Sequence, residues 1–548
     1  MLVRPMPFAL TTACCLLLGA CASTGTPHAP QATAPIAVQV PAVAHPGGET
    51  PAWWYRSGAA QAASRGAMGG TARNVIVFLG DGMSLTTVAA ARILDGQRQG
   101  RSGEENLLSW EQFPHTGFSK TYNTNSQTPD SAGTMTAITT GVKTHMGAIG
   151  VSAGDRRDCA DSLGKHRLTW LQLADSAGMA TGIVSTARLT HATPAATWTH
   201  SPERNWEHDG NRQMIATPYG RGPQVLLGGG RAKSMPRTQA DPEYTGKTGQ
   251  RRDGRDLVAE WKAAHPGGVY VWNREQLQAA RGAPAVLGLF EPDHMQYEHD
   301  RDRAAEPSLA ELTAEAIRRL AQDPNGFVLM IEGGRIDHAN HEGNAFRALD
   351  ETISLSNAVR AAMAATSAED TLILVTADHS HTLNFVGYPV RGNPILGKVR
   401  GGGEDGGGGD YARDATGLPY TTLSYANGPG HTGASDRQPA GPKRHPHTPR
   451  RMEPAAGRPD LTTVDTQAPD YMQEALVPLK GETHGGEDVG IWARGPGSAA
   501  VRGTLEQNAI YHLIVQATPK LRQRLCEAGT CDANGVPVEL PQPADFRP

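Results

Sequence analysis

The chain has 548 residues, a formal charge of −4 at neutral pH and 38% hydrophobic residues. That length serves one large α/β domain with insertions, or two domains. The charge removes any whole-chain argument for nucleic-acid binding, which leaves a basic excess, so function has to be argued from local motifs.

In chain order, the first element is a targeting segment, residues 1–21. Arg4 precedes an apolar run over residues 8–20 that is too short to span a bilayer. Leu18-Gly19-Ala20-Cys21 has the form of a bacterial lipobox, in which the cysteine becomes the acylated first residue of the mature chain. The alternative is an ordinary cleaved signal with a chance cysteine. Both readings export the protein, to the periplasm or, with Cys21 acylated, to the outer membrane as a lipoprotein. Residues 22–50 are rich in Ala, Pro, Thr and Gly without apolar period and read as a disordered tether.

Apolar runs of strand length follow at residues 75–79, 181–184, 327–331, 372–375 and 489–493. Their continuous character suits a parallel sheet buried on both faces. Residues 309–321 and 345–365 carry apolar side chains three and four apart, as amphipathic helices do. Strand alternating with helix predicts a three-layer α/β/α sandwich with a large, mostly parallel central sheet and loop or cap insertions. We place this catalytic domain at residues 51–531, with a variable cap over about 385–480, and a tail at 532–548. Two insertions, a glycine-dense one at 400–409 and a Pro/Arg-rich one at 439–460, are expected to form mobile loops near the site mouth. Cys526 and Cys531, close in sequence around Gly529, are expected to close a disulfide after export, which leaves Cys159 without a partner.

Chemistry gathers where the strands end, as it does in open α/β sheets. The first run leads into Gly80-Asp81-Gly82, and Pro129-Asp130-Ser131-Ala132 follows later. His191 and Thr193 come after the second run. Glu332 ends the third, with Asp337 and His341 one helical turn apart behind it. Thr376-Ala377-Asp378-His379-Ser380-His381 ends the fourth, and Glu482-Thr483-His484-Gly485-Gly486-Glu487-Asp488 precedes the fifth. Any one of these reads equally well as a turn or a helix cap. Together they offer mixed N and O ligands suited to zinc, an oxygen-rich cluster suited to magnesium, and a serine beside them.

In these motifs, and in Ile331-Glu332-Gly333-Gly334-Arg335-Ile336-Asp337-His338, the sequence resembles the alkaline phosphatase family over about residues 51–531. The resemblance implies two zinc ions, one held by Asp337, His341 and His484 and one by Asp81, Asp378 and His379. It implies a magnesium ion shared by Asp81, Thr193 and Glu332, with Ser131 as nucleophile and Arg204 as phosphate clamp. His381 is expected to orient a ligand carboxylate, and His191 and His338 to stand as outer groups. A calcium site is implied at Glu243, the backbone of Phe290, Glu291 and Glu306. The activity implied is broad hydrolysis of small phosphomonoesters through a phosphoseryl intermediate, for phosphate scavenging, by a homodimer. The alternatives are a phosphodiesterase or sulfatase of the same superfamily, which place Thr or a modified Cys/Ser where Ser131 stands, and a metal- or phosphate-binding lipoprotein without turnover.

Overall fold

The computed structural model describes residues 35–43, 47–154, 158–401 and 410–547. The targeting segment, Cys21, most of the tether and most of the 400–409 insertion lie outside the described residues.

Fifteen strands occur in the described chain. They are β1 (Asn74–Gly80), β2 (His115–Lys120), β3 (Ala180–Arg188), β4 (Val225–Gly229), β5 (Val269–Val271), β6 (Val286–Leu289), β7 (Phe327–Gly333) and β8 (Thr371–Ala377). After these come β9 (Ser380–His381), β10 (Leu383–Phe385), β11 (Leu423–Gly428), β12 (Ala475–Pro478), β13 (His484–Gly485), β14 (Val489–Arg494) and β15 (Gly503–Glu506). Ten of them form one sheet in the order β15-β2-β14-β8-β1-β7-β3-β4-β6-β5. The β8-β1-β7-β3-β4-β6-β5 stretch is parallel throughout. β14 runs antiparallel to both β8 and β2. The expectation of a parallel strand at 489–493 is corrected here, because a continuous apolar run reports burial on both faces and says nothing of direction. β4 and β6 escaped the sequence reading because they are short and carry glycines, which weaken the strand signal.

The central strands are buried on both faces, and alternate residues feed two separate cores. Val75, Val77 and Leu79 of β1 join one core, with Val328 and Met330 of β7. Ile76 and Phe78 join the other, with Phe327, Leu329 and Ile331. The first core is closed by helices Pro51–Ser64, Ser131–Thr140, Trp170–Ser176 and Ala509–Ala517. The second is closed by Leu85–Arg98, Leu309–Leu320 and Ala345–Ala365, the last two where the apolar period placed them. Ser308 and Glu311 form a capping box at the start of one, and Asn344 caps the other. This is the three-layer sandwich the pattern predicts.

Two small ladders lie beyond the main sheet. β10, β11 and β12 form one, and β9 pairs antiparallel with β13, setting His381 opposite His484. The described part of the tether contacts the domain: Ile36 and Val38 pack on Ala59, Ala63, Val536 and Val538, so the tail is drawn in as well. The 439–460 insertion is tied down, with Lys443 and His447 buried and His445 Nε2 2.7 Å from Glu342 Oε2. Cys526 and Cys531 are bonded, and Cys159 is free and exposed.

Leu329 is fully buried at the centre of the second core. Leu329→Ala is expected to cost about 2–5 kcal/mol, read as a lowered denaturation midpoint with an unchanged slope.

Candidate metal centre and nucleophile

Ser131 is the first residue of helix Ser131–Thr140, and Asp130 caps it by accepting from Gly133 N at 3.1 Å. The uncapped backbone N–H groups at that end favour an anion beside the hydroxyl. Asp130 also accepts from Gly147 N at 3.0 Å and from Arg204 Nη1 at 2.9 Å. One carboxylate therefore fixes both the helix start and the guanidinium next to it. Ser131 Oγ lies 2.9 Å from His379 Nε2 and 3.4 Å from Asp81 Oδ1.

Three groups of acidic and imidazole side chains converge around this hydroxyl, each with its ligand atoms all within 4.8 Å of one another. They are Asp337 with His341, His381 and His484; Asp81 with Asp378 and His379; and Asp81 with His191 and Glu332. The strand ends bring them together: Asp81 follows β1, Glu332 lies in β7, Asp378 and His379 follow β8. Adjacent parallel strands present their carboxyl ends on one edge, with Leu79 opposite Glu332 and Gly80 opposite Ala377. Gly82 turns the chain at φ +66°, and a Cβ there would stand 2.3 Å from the His381 ring. Glycine is required on both counts.

Hydrogen bonds settle which nitrogen of each imidazole carries the proton. A carbonyl accepts only, so a ring nitrogen facing one must be the N–H. His341 Nδ1 faces Glu482 O at 2.5 Å, His484 Nδ1 faces Pro129 O at 2.7 Å and His379 Nδ1 faces Ser380 O at 3.3 Å. All three thereby turn Nε2 lone pairs inward. His341 Nε2 and His484 Nε2 stand 3.1 Å apart, an approach of two acceptors that needs a positive charge between them. His381 differs, because Nδ1 meets the Glu482 carboxylate and Nε2 is 2.7 Å from Asp337 Oδ1, so both its nitrogens are spent on carboxylates.

The electrostatics point the same way. Burial raises the Asp81 carboxyl well above its usual range, reinforced by Asp378, Asp337 and Glu332 and opposed by Arg204. Burial pushes Glu332 up to about 8 and raises Asp378 as well. Asp337 is the exception: burial opposes its ionisation, but His341, His381 and His484 outweigh that and hold it well below the carboxylate range. Burial likewise opposes a charge on His381, yet Glu482 and Asp337 bring it to about 10. Carboxyls raised in this way hold protons unless cations take their place, and they ionise when cations are bound beside them. One oxygen supplies a further sign, since Glu332 Oε1 is buried without a hydrogen-bond partner while Oε2 accepts from Ser185 Oγ. The residues present therefore fit divalent ions.

The expected site residues are placed as follows. Asp81, Asp378 and His379 assemble, as do Asp337, His341 and His484. Thr193 Oγ1 donates to Asp81 Oδ2 at 3.2 Å, beside Glu332. His191 comes closer than an outer group, since it joins Asp81 and Glu332, and its Nε2 lies 3.3 Å from Arg204 Nη2. His338 is one ring further out, 5.2 Å from His191 between ring centroids. The implied calcium residues are not gathered into such a group among the described residues. Glu243 is turned onto Arg231 Nη2 at 2.8 Å, and Glu291 and Glu306 are joined through Gln296 instead. Four residues were missed: Ser185, Asp130, Glu482 and His294, whose ring lies 4.1 Å from that of His338. Asp130 and Glu482 stood inside the quoted motifs, whereas nothing in the sequence marks Ser185.

A family profile described as alkaline phosphatase matches residues 72–519. The tissue-nonspecific alkaline phosphatase isozyme of Gallus gallus is 43% identical over 467 residues, covering 81% of this chain and 84% of that protein. The alkaline phosphatase of Gadus morhua is 40% identical over 466 residues, covering 81% and 91%. Among solved structures, the Thermus thermophilus alkaline phosphatase superposes with a TM-score of 0.59 at 25% identity, covering 82% of this chain and 92% of that one.

Two outcomes follow from the geometry. Glu332 is raised from 4.5 to about 8, so the metal-free fold binds a proton there that the unfolded chain has lost, and its stability falls as pH climbs through that window. Metal-stripped Glu332→Gln is expected to melt above the stripped parent at pH 9 and to lose that advantage by pH 4, measured by thermal unfolding in chelator. Asp130→Ala removes the anchor of Arg204, and should weaken competitive inhibition by inorganic phosphate about tenfold, while loss of the helix cap costs about 1 kcal/mol.

Proposed function

The chain belongs to the alkaline phosphatase family and is a metal-dependent phosphomonoester hydrolase; from this premise we propose a phosphoseryl mechanism at a two-zinc and one-magnesium centre. One zinc would be held by Asp337, His341 and His484, and the other by Asp81, Asp378 and His379. The magnesium would be held by Asp81, Thr193 and Glu332, with His191 alongside. The observation that carries the reading is Ser131 Oγ, 2.9 Å from His379 Nε2 and 3.4 Å from Asp81 Oδ1, at a helix start. When bound, the ions would neutralise the phosphoryl charge and lower the cost of ionising the serine hydroxyl.

The remaining work falls to the chain. A phosphate monoester repels an oxyanion nucleophile, so the site must hold it in line and offset its charge. Arg204, braced by Asp130, offers its free N–H groups to the non-bridging phosphoryl oxygens, a match for its planar fork. The N–H groups at the start of helix Ser131–Thr140 face the same oxygens. Ser131 Oγ forms a bond to phosphorus as the ester P–O bond breaks and the alcohol departs with a proton. Water then attacks the phosphoserine, the Ser131 O–P bond breaks, and the hydroxyl is restored as phosphate leaves.

Broad specificity and phosphate scavenging are proposed on the resemblance, as is the homodimer. Export with acylation of Cys21 is proposed on the N-terminal sequence alone.

Ser131→Ala is expected to abolish acid-stable phosphate incorporation and to cut turnover of a nitrophenyl phosphate on the order of 10²-fold or more, with zinc content unchanged. Incorporation that persists in that variant would refute the nucleophile. The parent should favour the monoester over the matching diester, in a side-by-side rate comparison.

A further inference from the structure

Glu482 lies where the Asp337 group meets the β9–β13 ladder, two residues before His484. Its side chain is fully buried, and both carboxylate oxygens are already engaged. Oε1 accepts from Thr382 N and Thr382 Oγ1, each at 2.6 Å, and Oε2 faces His381 Nδ1. His381 passes this hold on, since its Nε2 is 2.7 Å from Asp337 Oδ1.

The Glu482 backbone makes a second connection. Its N–H donates to His341 O at 2.8 Å, and its carbonyl accepts from His341 Nδ1 at 2.5 Å. That carbonyl bond fixes the tautomer of His341 and the direction of its Nε2. The pairing of β9 with β13 then sets His381 opposite His484. No hydrogen bond joins Glu482 to Asp81, Asp378 or His379 among the described residues. On the far side the packing is tight: Gly428, at φ +131°, has space for no Cβ, because one would stand 2.9 Å from Glu482 Cβ.

We infer that Glu482 is a positioning residue for the cation site of Asp337, His341 and His484: its carboxylate sets Asp337 through His381, and its peptide sets the His341 ring. The inference rests on the two-zinc reading above and deepens it. It makes one site, and not the other, depend on a residue that touches neither ion nor substrate. Such partners of ligands are worth about 10–100-fold in metal affinity. Because the side chain works through His381, its effect should vanish when His381 is gone.

The test is zinc binding to the metal-stripped mature protein by equilibrium dialysis, for Glu482→Gln, Glu482→Ala, His381→Ala and the paired Glu482→Gln/His381→Ala. Glu482→Gln keeps the volume and an acceptor for Thr382 but removes the charge facing His381. It is expected to weaken one zinc by about tenfold and leave the other within about twofold, and Glu482→Ala should weaken the same zinc further. In the His381→Ala background, Glu482→Gln should add less than about twofold. Equal losses at both sites, unchanged affinity in Glu482→Gln, or full additivity in the paired variant would each overturn the inference. A parent protein that binds fewer than two zinc ions would instead refute the two-zinc reading on which it rests.

Discussion

The feature on which the rest of this structure depends is a cluster of buried carboxyl groups at the edge of a sheet. Asp81, Glu332 and Asp378 are all fully buried, and burial raises each of them above its ordinary carboxylate range. A fold keeps such groups only when something compensates them, because an unpaired buried charge costs several kcal/mol. Arg204 opposes this rise at Asp81 while its Nη1 pairs with Asp130. Divalent ions would supply the counter-charge that lets these groups ionise. The fold and the proposed chemistry thus share a requirement: metal that stabilises the site would also lower the barrier to the attack proposed for Ser131.

The sheet makes this concentration of charge possible. Parallel neighbours end at the same edge, so residues distant in sequence arrive side by side: Leu79 is level with Glu332 in β7 and with Thr376 in β8. Helix Ser131–Thr140 adds its N-terminus to that edge, and the short β9–β13 ladder adds His484. Each element contributes one or two side chains that would be unremarkable alone. Only the strand order β8-β1-β7-β3 turns them into a site.

Legibility in the sequence followed the same division. The five apolar runs gave the central strands because full burial leaves an unbroken hydrophobic signal, and the helices at 309–320 and 345–365 were visible through their period. The direction of β14 was not visible, since the same apolar run serves either orientation. The ligand types were legible because Asp, Glu and His at strand ends are chemically distinct. The residues that hold those ligands were harder to see. Ser185, which donates to Glu332, is an ordinary serine within a strand, and only its hydrogen bond reveals its role. The tether reading reached too far for a physical reason as well: Ile36 and Val38 find an apolar groove between the first helix and the tail, which composition alone does not announce.

Support for the site is uneven, and this bears on how it works. Asp130 is held by the Gly133 and Gly147 N–H groups and the Asn123 side-chain amide while it holds Arg204, so the side that carries Arg204 is fixed by hydrogen bonds that need no metal. On the other side, the two imidazoles of His341 and His484 face each other through Nε2 and gain from an ion between them. Between these sides lies Ser131, fixed by its helix but close enough to His379 and Asp81 to sense both. In the proposed mechanism, a nucleophile anchored to the rigid side and activated from the cation-dependent side would not have to move when ions bind. Preorganisation of this kind lets binding energy act on the reacting atoms instead of on rearrangement of the chain.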